Sequence, residues 1–560
     1  MRTSRSLFRI AMLVMVATAA ACSGDDPIAP QLPAAPSGVA AAARSSTEVT
    51  VTFNTVTGAT GYIVERAPAS GGSFAQVGTS ATSPYEDKGL SPSTAYRYRV
   101  AATGAAGTGA YSDVVFATTA APGPKTATIN ANIIANRTLF ADTVYTLSGF
   151  VRVANGATLT IQPGTLIQGD FNTVGSSLIV LRGAKIIADG TADKPIVFTS
   201  SRPAGQRQPG DWGGLAIIGN GIINRTGDVQ LEGTGTGASN PAVLYSGGNN
   251  NADNSGSLKY VRVEFAGYAA AADAELNSFT FGAVGSGTTL EYLESLSGLD
   301  DSFEFFGGAV DGKYLISYES GDDHFDMSEG YVGRLQHVIA FQTRQNIPRP
   351  GAGNVSSDPQ GIENDGCAGS GCANGQDTQP FNVPVIANFT LVGPPDGIFS
   401  GTAGGVGMML RRGTGGHYVN GVVARWERAA ISLRDQPTLT RATAGVLTVK
   451  NVHVVDVGAT FQPAAGSTVQ GTLDLAANAI VEGTGLGSAL FLGLPTNPTN
   501  VGQIDWTPAA NAAIATGGLA AFTSDLATRA GTFVTGTVYR GAANPAGPKW
   551  WTGWTSYFDN

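Results

Sequence analysis

The chain has 560 residues, of which only 13% are charged, 42% are hydrophobic and 76 are glycine. Charge runs at about half, and glycine at about twice, the usual share in soluble domains, which excludes a coiled coil, a charged disordered chain and a conventional helical enzyme. A formal net charge of −9 leaves no excess of Lys and Arg to neutralise phosphates, so a nucleic-acid partner is not expected.

Arg2, Arg5 and Arg9 precede an apolar run from Ile10 to Ala21. These are the basic and hydrophobic parts of an export signal, and the run is too short for a stable bilayer span. It closes on Ala19-Ala20-Ala21-Cys22-Ser23, which resembles the lipobox of bacterial lipoproteins. The resemblance implies a signal peptide over 1–21 and lipid on Cys22. It also implies an exported outer-membrane lipoprotein, surface-exposed or facing the periplasm. Ordinary cleavage after Ala21 also fits the small residues. No other apolar stretch reaches the roughly 18 charge-free residues of a membrane helix, so any membrane contact is expected through the lipid. Pro27, Pro30, Pro33 and Pro36 then recur at every third position, which favours a polyproline II spacer over 22–36.

Residues 37–119 read as short strands. Val49-Thr50-Val51-Thr52-Phe53 and Gly61-Tyr62-Ile63-Val64-Glu65-Arg66 alternate with period two. The later run Leu90-Ser91-Pro92-Ser93-Thr94-Ala95-Tyr96-Arg97-Tyr98-Arg99-Val100 resembles the late strand of a fibronectin type III domain. The resemblance implies a β-sandwich in which Tyr96 is the corner tyrosine, its hydroxyl bonded to upstream backbone. Such domains serve as spacers or binding modules. A Pro/Gly linker over 120–125 ends this part.

From 126 the texture changes to short apolar runs between glycines, such as Leu178-Ile179-Val180-Leu181 and Pro195-Ile196-Val197-Phe198. A shift of 22 residues superposes Tyr292 on Tyr314, Leu293 on Leu315, Ser295 on Ser317, Asp300 on Asp322 and Asp301 on Asp323. It also superposes Phe303 on Phe325, Gly308 on Gly330 and Val310 on Val332. That period suits one coil of a parallel β-helix, in which equivalent residues stack. The phrases Ala-Asp-Gly-Thr-Ala-Asp-Lys-Pro-Ile-Val-Phe-Thr-Ser at 188–200 and Gly-Asp-Trp-Gly-Gly-Leu at 210–215 resemble bacterial surface proteins with right-handed parallel β-helices. The fold class is therefore all-β: a sandwich, then a right-handed β-helix over 126–455, then an irregular capping region over 456–560. In the last region Leu473 to Glu482 reads as a short helix. Trp550, Trp551 and Trp554 read as an aromatic cap on the final coil, or else as a sugar-stacking platform.

The repeat carries the chemistry. Asp300, Asp301 and Glu304 fall one coil from Asp322, Asp323 and Asp326. Carboxylates on adjacent coils about 4.8 Å apart repel by about 3.5 kcal/mol per pair at an effective dielectric near 20. Such a column needs a cation, protonation or an arginine. These six acids are the candidate metal ligands, and an all-oxygen set favours Ca²⁺. One more period puts Arg344 beneath Asp322, which would neutralise the column without a metal. Lys313, Arg344, Arg411 and Arg412 are the candidate ligand-facing cations. The glycine-rich stretch 346–380 reads as a long loop folding over the column, with Glu363 to Asp365 near it. With Cys22 given to lipid, Cys367 and Cys372 remain, and an exported compartment favours a disulfide between them. Three cysteines exclude a four-cysteine zinc site. His324, His337, His417 and His453 show no metal or triad spacing, and no phosphate-cradling motif points to a nucleotide.

The expected function is surface binding or adhesion toward a polysaccharide or a surface protein. The alternatives are a Ca²⁺-dependent polysaccharide lyase or hydrolase on the same face, and a purely structural envelope protein. No residue matches a lyase motif one by one, so binding is favoured over catalysis.

Overall fold

The computed structural model describes residues 30–271, 274–399 and 404–557. Cys22, the signal and the first half of the proline spacer lie outside the described residues. One compact unit ends at Gly123 and a second begins at Pro124. Among the described residues no helix is long and apolar enough to cross a membrane.

The first unit is a sandwich of antiparallel strands. Ala40–Ala43, Glu48–Thr52 and Tyr85–Lys88 form one sheet, and Gly61–Pro68 and Ala95–Gly104 form the centre of the other. Alternation sends Val49, Val51, Tyr62, Val64, Tyr98 and Val100 into a common core with Phe53 and Leu90. The Tyr96 hydroxyl accepts from the Ser91 backbone N–H at 3.1 Å, so it ties the corner to upstream backbone.

The second unit is a parallel β-helix. Each full coil crosses a ten-stranded sheet, turns, and runs along a bent strand of a seventeen-stranded sheet. In one coil, Phe303–Phe306 lies in the first sheet and Asp311–Tyr318 in the second, and Phe325–Ser328 opens the next coil. The register pairs Phe303 with Phe325 and Leu293 with Leu315, which is the 22-residue period. Phe279, Phe303 and Phe325 stack inside at 5.0 and 5.2 Å between centroids. Such offset aromatic columns add to the burial of each ring. At Gly308, which turns with φ 70°, a Cβ would run into the Val284 carbonyl.

The long strands bend at one left-handed residue per coil. Tyr260, Tyr292, Tyr314 and His337 adopt φ between 48° and 62°, and Asn388, Asn420 and Asn451 continue the corner at 54° to 59°. Left-handed backbone costs a non-glycine residue about 1–2 kcal/mol, least for Asn. The aromatic members offset it by stacking at 4.3, 4.5 and 5.0 Å along the corner.

The region after the coils differs from expectation in two places. Residues 475–479 form turns, and Val481–Glu482 joins His453–Val455 as a further parallel pair, so coil pairing outlasts residue 455 and no helix forms there. Phe491 onward then runs back along the flank of the long sheet. Trp506, Ile514, Trp551, Trp554 and Tyr557 bury the outward side chains of Leu296, Ile316, Tyr318, Ile339 and Phe341. The aromatic-rich region thus caps a side of the solenoid, because that outward face is apolar and would otherwise meet water. Trp506 donates to the Tyr318 hydroxyl at 3.0 Å, and the Ser556 N–H donates to Glu294 at 3.0 Å.

Candidate metal centre

The strands Phe279–Gly282, Phe303–Phe306, Phe325–Ser328, Gln360–Asp365 and Val406–Arg411 are successive neighbours in the ten-stranded sheet. Phe303, Phe305, Phe325, Met327 and Ile362 face the core. Alternation puts Glu304, Asp326 and Glu363 on the outer face, where they are in register. The turns before these strands supply Asp300 and Asp301, then Asp322 and Asp323.

Two of the acids also tie coil to coil. The Asp323 N–H donates to Asp301 Oδ1 at 2.9 Å, and the Gln360 N–H donates to Asp323 Oδ1 at 2.5 Å. One coil earlier the Asp301 N–H donates to Asn277 Oδ1 at 3.0 Å, and the Asn277 amide donates to Glu304. Asn277, Asp301 and Asp323 are therefore one column, each two residues before a phenylalanine.

The remaining oxygens converge. Glu232, Glu275 and Asp300 form one group, and Asp300, Asp301 and Asp322 a second. Asp301, Glu304 and Asp326 form a third, and Asp323, Asp326 and Glu363 a fourth. Within each group the ligand atoms lie within 4.8 Å of one another. Shared members join the groups into a continuous run. Most of these acids line a cavity of about 380 Å³, whose rim includes Asn354, Val355 and Ser356.

Burial, then the neighbouring carboxylates, holds Asp300, Asp301, Glu304, Asp323, Asp326 and Glu363 well above the usual carboxylate range. Burial also pushes Asp322 up, to about 7, although a Ser356 hydrogen bond and Arg411 pull it down. Arg411 is the main counter-charge. Its Nε bonds Asp365 Oδ1 at 2.9 Å, another nitrogen bonds Glu363, and Asp358 stands at 3.7 Å. Arg412 bonds the other oxygen of Asp365. These ion pairs sit at one end of the run. In its middle, Asp322 Oδ1 and Asp326 Oδ1 are buried without a hydrogen-bond donor. Buried carboxylate oxygens need a donor or a cation. The donor set is all oxygen and flexible in number, which fits a hard cation that takes six to eight oxygens, such as Ca²⁺. His324 contributes nothing to it. Its Nδ1 meets Ser317 Oγ at 2.5 Å, its ring packs edge-on against Trp426, and burial lowers its pKa to about 3.

The structure brings together all six carboxylates singled out in the repeat, with Arg411 and Arg412 beside them. It separates Arg344 and Lys313 from them. The Arg344 N–H points to Glu319 Oε2 at 3.4 Å, because the coil after Asp326 lengthens and the 22-residue period fails there. The Lys313 ammonium lies over the Phe533 ring at 4.6 Å, on the other sheet. The stretch 346–380 is not all loop: Gln360–Asp365 is a strand, and Glu363 lies directly beside Asp326. Only its earlier part, at Asn354 to Ser356, reaches the rim. Glu232 and Glu275 escaped the repeat because both lie outside the regular coils. The available signal was an acid shortly ahead of a core phenylalanine, as Glu275 is to Phe279 and Asp300 to Phe303.

Cys367 and Cys372 form the disulfide. Its hairpin holds a distant segment: the Thr226 N–H donates to the Gly371 carbonyl at 2.9 Å, and Arg225 Nε donates to Ser370 at 2.9 Å.

A family model described as a pectate-lyase-like β-helix domain matches residues 131–492, and a fibronectin type III model matches residues 34–118. Among solved structures, an Fn3-like protein from Clostridium thermocellum is 28% identical, covering 16% of this chain and 95% of its own, with a TM-score of 0.15. Titin domains are 27% identical over 15% of this chain and 30% of theirs, with a TM-score of 0.15. The FN5 domain of Drosophila Lar is 23% identical over 16% of this chain and 100% of its own, with a TM-score of 0.15. No curated protein matches.

Proposed function

The chain belongs to the pectate-lyase-like β-helix family, with a fibronectin type III domain ahead of the helix, and from that premise we propose a surface-displayed binding protein whose acidic run holds Ca²⁺ and, through it, a carboxylate-bearing polysaccharide. The observation that carries the reading is the pair of buried, donorless oxygens on Asp322 and Asp326 inside a run of nine carboxylates. Bare, that surface repels an acidic glycan. Loaded with a divalent cation it offers open coordination positions that a glycan carboxylate can fill.

The N-terminal sequence supports display. Lipid on Cys22 anchors the chain, and the proline spacer and fibronectin domain are modules of the kind that carry a binding domain outward. Binding is preferred to cleavage because the guanidiniums beside the acids are engaged: Arg411 pairs with Glu363 and Asp365, and Arg412 with Asp365. A lyase base must be free to take a proton.

The test is to titrate the purified protein with polygalacturonate and with neutral dextran, in Ca²⁺ and in EGTA. Chelator-sensitive binding of polygalacturonate without product supports the reading. Unsaturated product, seen by ultraviolet absorbance, replaces it with a lyase. Binding indifferent to EGTA removes the cation from it.

A further inference from the structure

Of the three C-terminal tryptophans, two are fully buried, while Trp550, whose indole N–H donates to the Ala542 carbonyl at 3.2 Å, keeps part of its ring open. Trp551 and Trp554 are 2% and 1% exposed and belong to the apolar flank. Trp550 is only partly buried, and its ring neighbours are oblique: Tyr314 at 5.1 Å and 54°, Trp551 at 5.9 Å and 83°. No ring stacks parallel on its indole among the described residues. It lines a cavity of about 230 Å³ between the returning chain and the aromatic corner.

Apart from Ala542 and Pro548, the other walls are polar at their tips, and none of the lining is charged. Tyr292 and Tyr314 come from the corner ladder, and Tyr539 and Asn544 from the returning chain. His337 closes the row. Its Nδ1 meets the Ala542 carbonyl at 3.0 Å, and a carbonyl only accepts, so Nδ1 carries the proton. Burial keeps the ring neutral, with its pKa lowered to about 4, and Nε2 remains an acceptor. Asn544 Oδ1 is spent on the Ala546 N–H at 3.0 Å, which leaves its amide as a donor. The ladder spaces its rings by the coil repeat, 4.5 Å between the centroids of Tyr292 and Tyr314 and 5.0 Å between those of Tyr314 and His337.

This lining selects its ligand by exclusion. A charged ligand would shed water with no counter-ion to meet it, and a purely apolar one would strand the phenol and amide groups. A ring with one C–H face and a rim of hydroxyls satisfies both the indole and the polar tips. The volume lies below the roughly 300–1,000 Å³ of drug-sized pockets, room for a single small ring. We infer that the corner cavity is a binding site for one neutral pyranose unit, stacked on Trp550 and hydrogen-bonded by Tyr314, His337 and Asn544. It is separate from the acidic run and needs no cation.

The experiment is calorimetry of the full chain with neutral tetrasaccharides built from glucose, from mannose and from galactose, in EGTA. Saturable binding of at least one is expected. Trp550→Ala should weaken it by about tenfold or more, the worth of one stacked ring. Tyr314→Phe and Asn544→Ala each remove one polar group and should weaken it about fivefold. These two variants decide the matter if Trp550→Ala lowers the melting temperature. Absence of saturable binding across the series overturns the inference. So does binding that is unchanged in Tyr314→Phe and Asn544→Ala, or binding that EGTA abolishes. Failure of polygalacturonate binding leaves this result untouched, since the arms use different sugars and opposite cation conditions.

Discussion

Stripped of divalent cations, the β-helix is expected to gain stability as the pH falls from about 8 to about 5, the reverse of the usual carboxylate-rich protein. The acids of the run have folded-state pKa values raised above their unfolded ones. Their stabilising contribution is therefore complete below the ordinary carboxylate range and is lost as pH rises through the folded values. For Asp322 that window runs from the ordinary value to about 7. Every tenfold gain in proton affinity on folding is worth about 1.4 kcal/mol, so between pH 8 and pH 5 Asp322 alone accounts for about 3 kcal/mol. A unit of more than 400 residues unfolds with an entropy near 0.9 kcal/mol/K, so the melting temperature moves by about 3 °C. Ca²⁺ must reverse the slope, because it displaces the protons that the bare run retains. Scanning calorimetry across this pH range, with EDTA and with Ca²⁺, measures both slopes. A chelated protein that melts higher at pH 8 than at pH 5 would refute the electrostatic reasoning. A Ca²⁺ increment equal at both ends would refute the cation.

Three other outcomes are expected. Asp326→Asn removes the acid shared by two groups of the run, so it should raise the melting temperature in EDTA and weaken Ca²⁺ by tenfold or more in calorimetric titration. Arg411→Met leaves Glu363 and Asp365 without their main partner and should cost about 3 kcal/mol in a chemical denaturation series at neutral pH, and less near pH 5. Tyr557→Phe takes a donor from buried Glu319, whose remaining partners include Thr343 Oγ1 at 2.6 Å. It should cost about 1–3 kcal/mol by denaturation and loosen the returning chain to protease.

Much of the fold was legible because a solenoid repeats its own side chains. The match of Phe303 to Phe325 foretold a stacked core column, and the match of Asp300 and Asp301 to Asp322 and Asp323 foretold an acid column. Legibility ended where coils changed length. Asp326 pairs with Glu363, 37 residues on, and Asp365 with Arg411, 46 residues on. A fixed period therefore chose Arg344 where the register supplies Arg411. Glu232 and Glu275 arrive from excursions whose length encodes no register at all. The flank packing of Trp551 and Trp554 was hidden for a different reason. An apolar outer face on Leu296, Ile316 and Ile339 looks, in one dimension, like any buried strand, and nothing local says which segment covers it.

The path of the returning chain bears on the order in which the fold is completed. A solenoid can wind coil by coil, since each turn needs only the one before it. The flank is otherwise. Tyr557 touches Tyr318, and Arg262 holds the Trp554 carbonyl at 3.0 Å, a partner 292 residues away. Those contacts wait for Trp554 and Tyr557, so the flank is sealed after the coils are wound. A chain cut before Trp551 would carry a wound helix with an exposed apolar stripe. The clasp thus makes the outer flank, unlike the coils, depend on partners 292 residues apart.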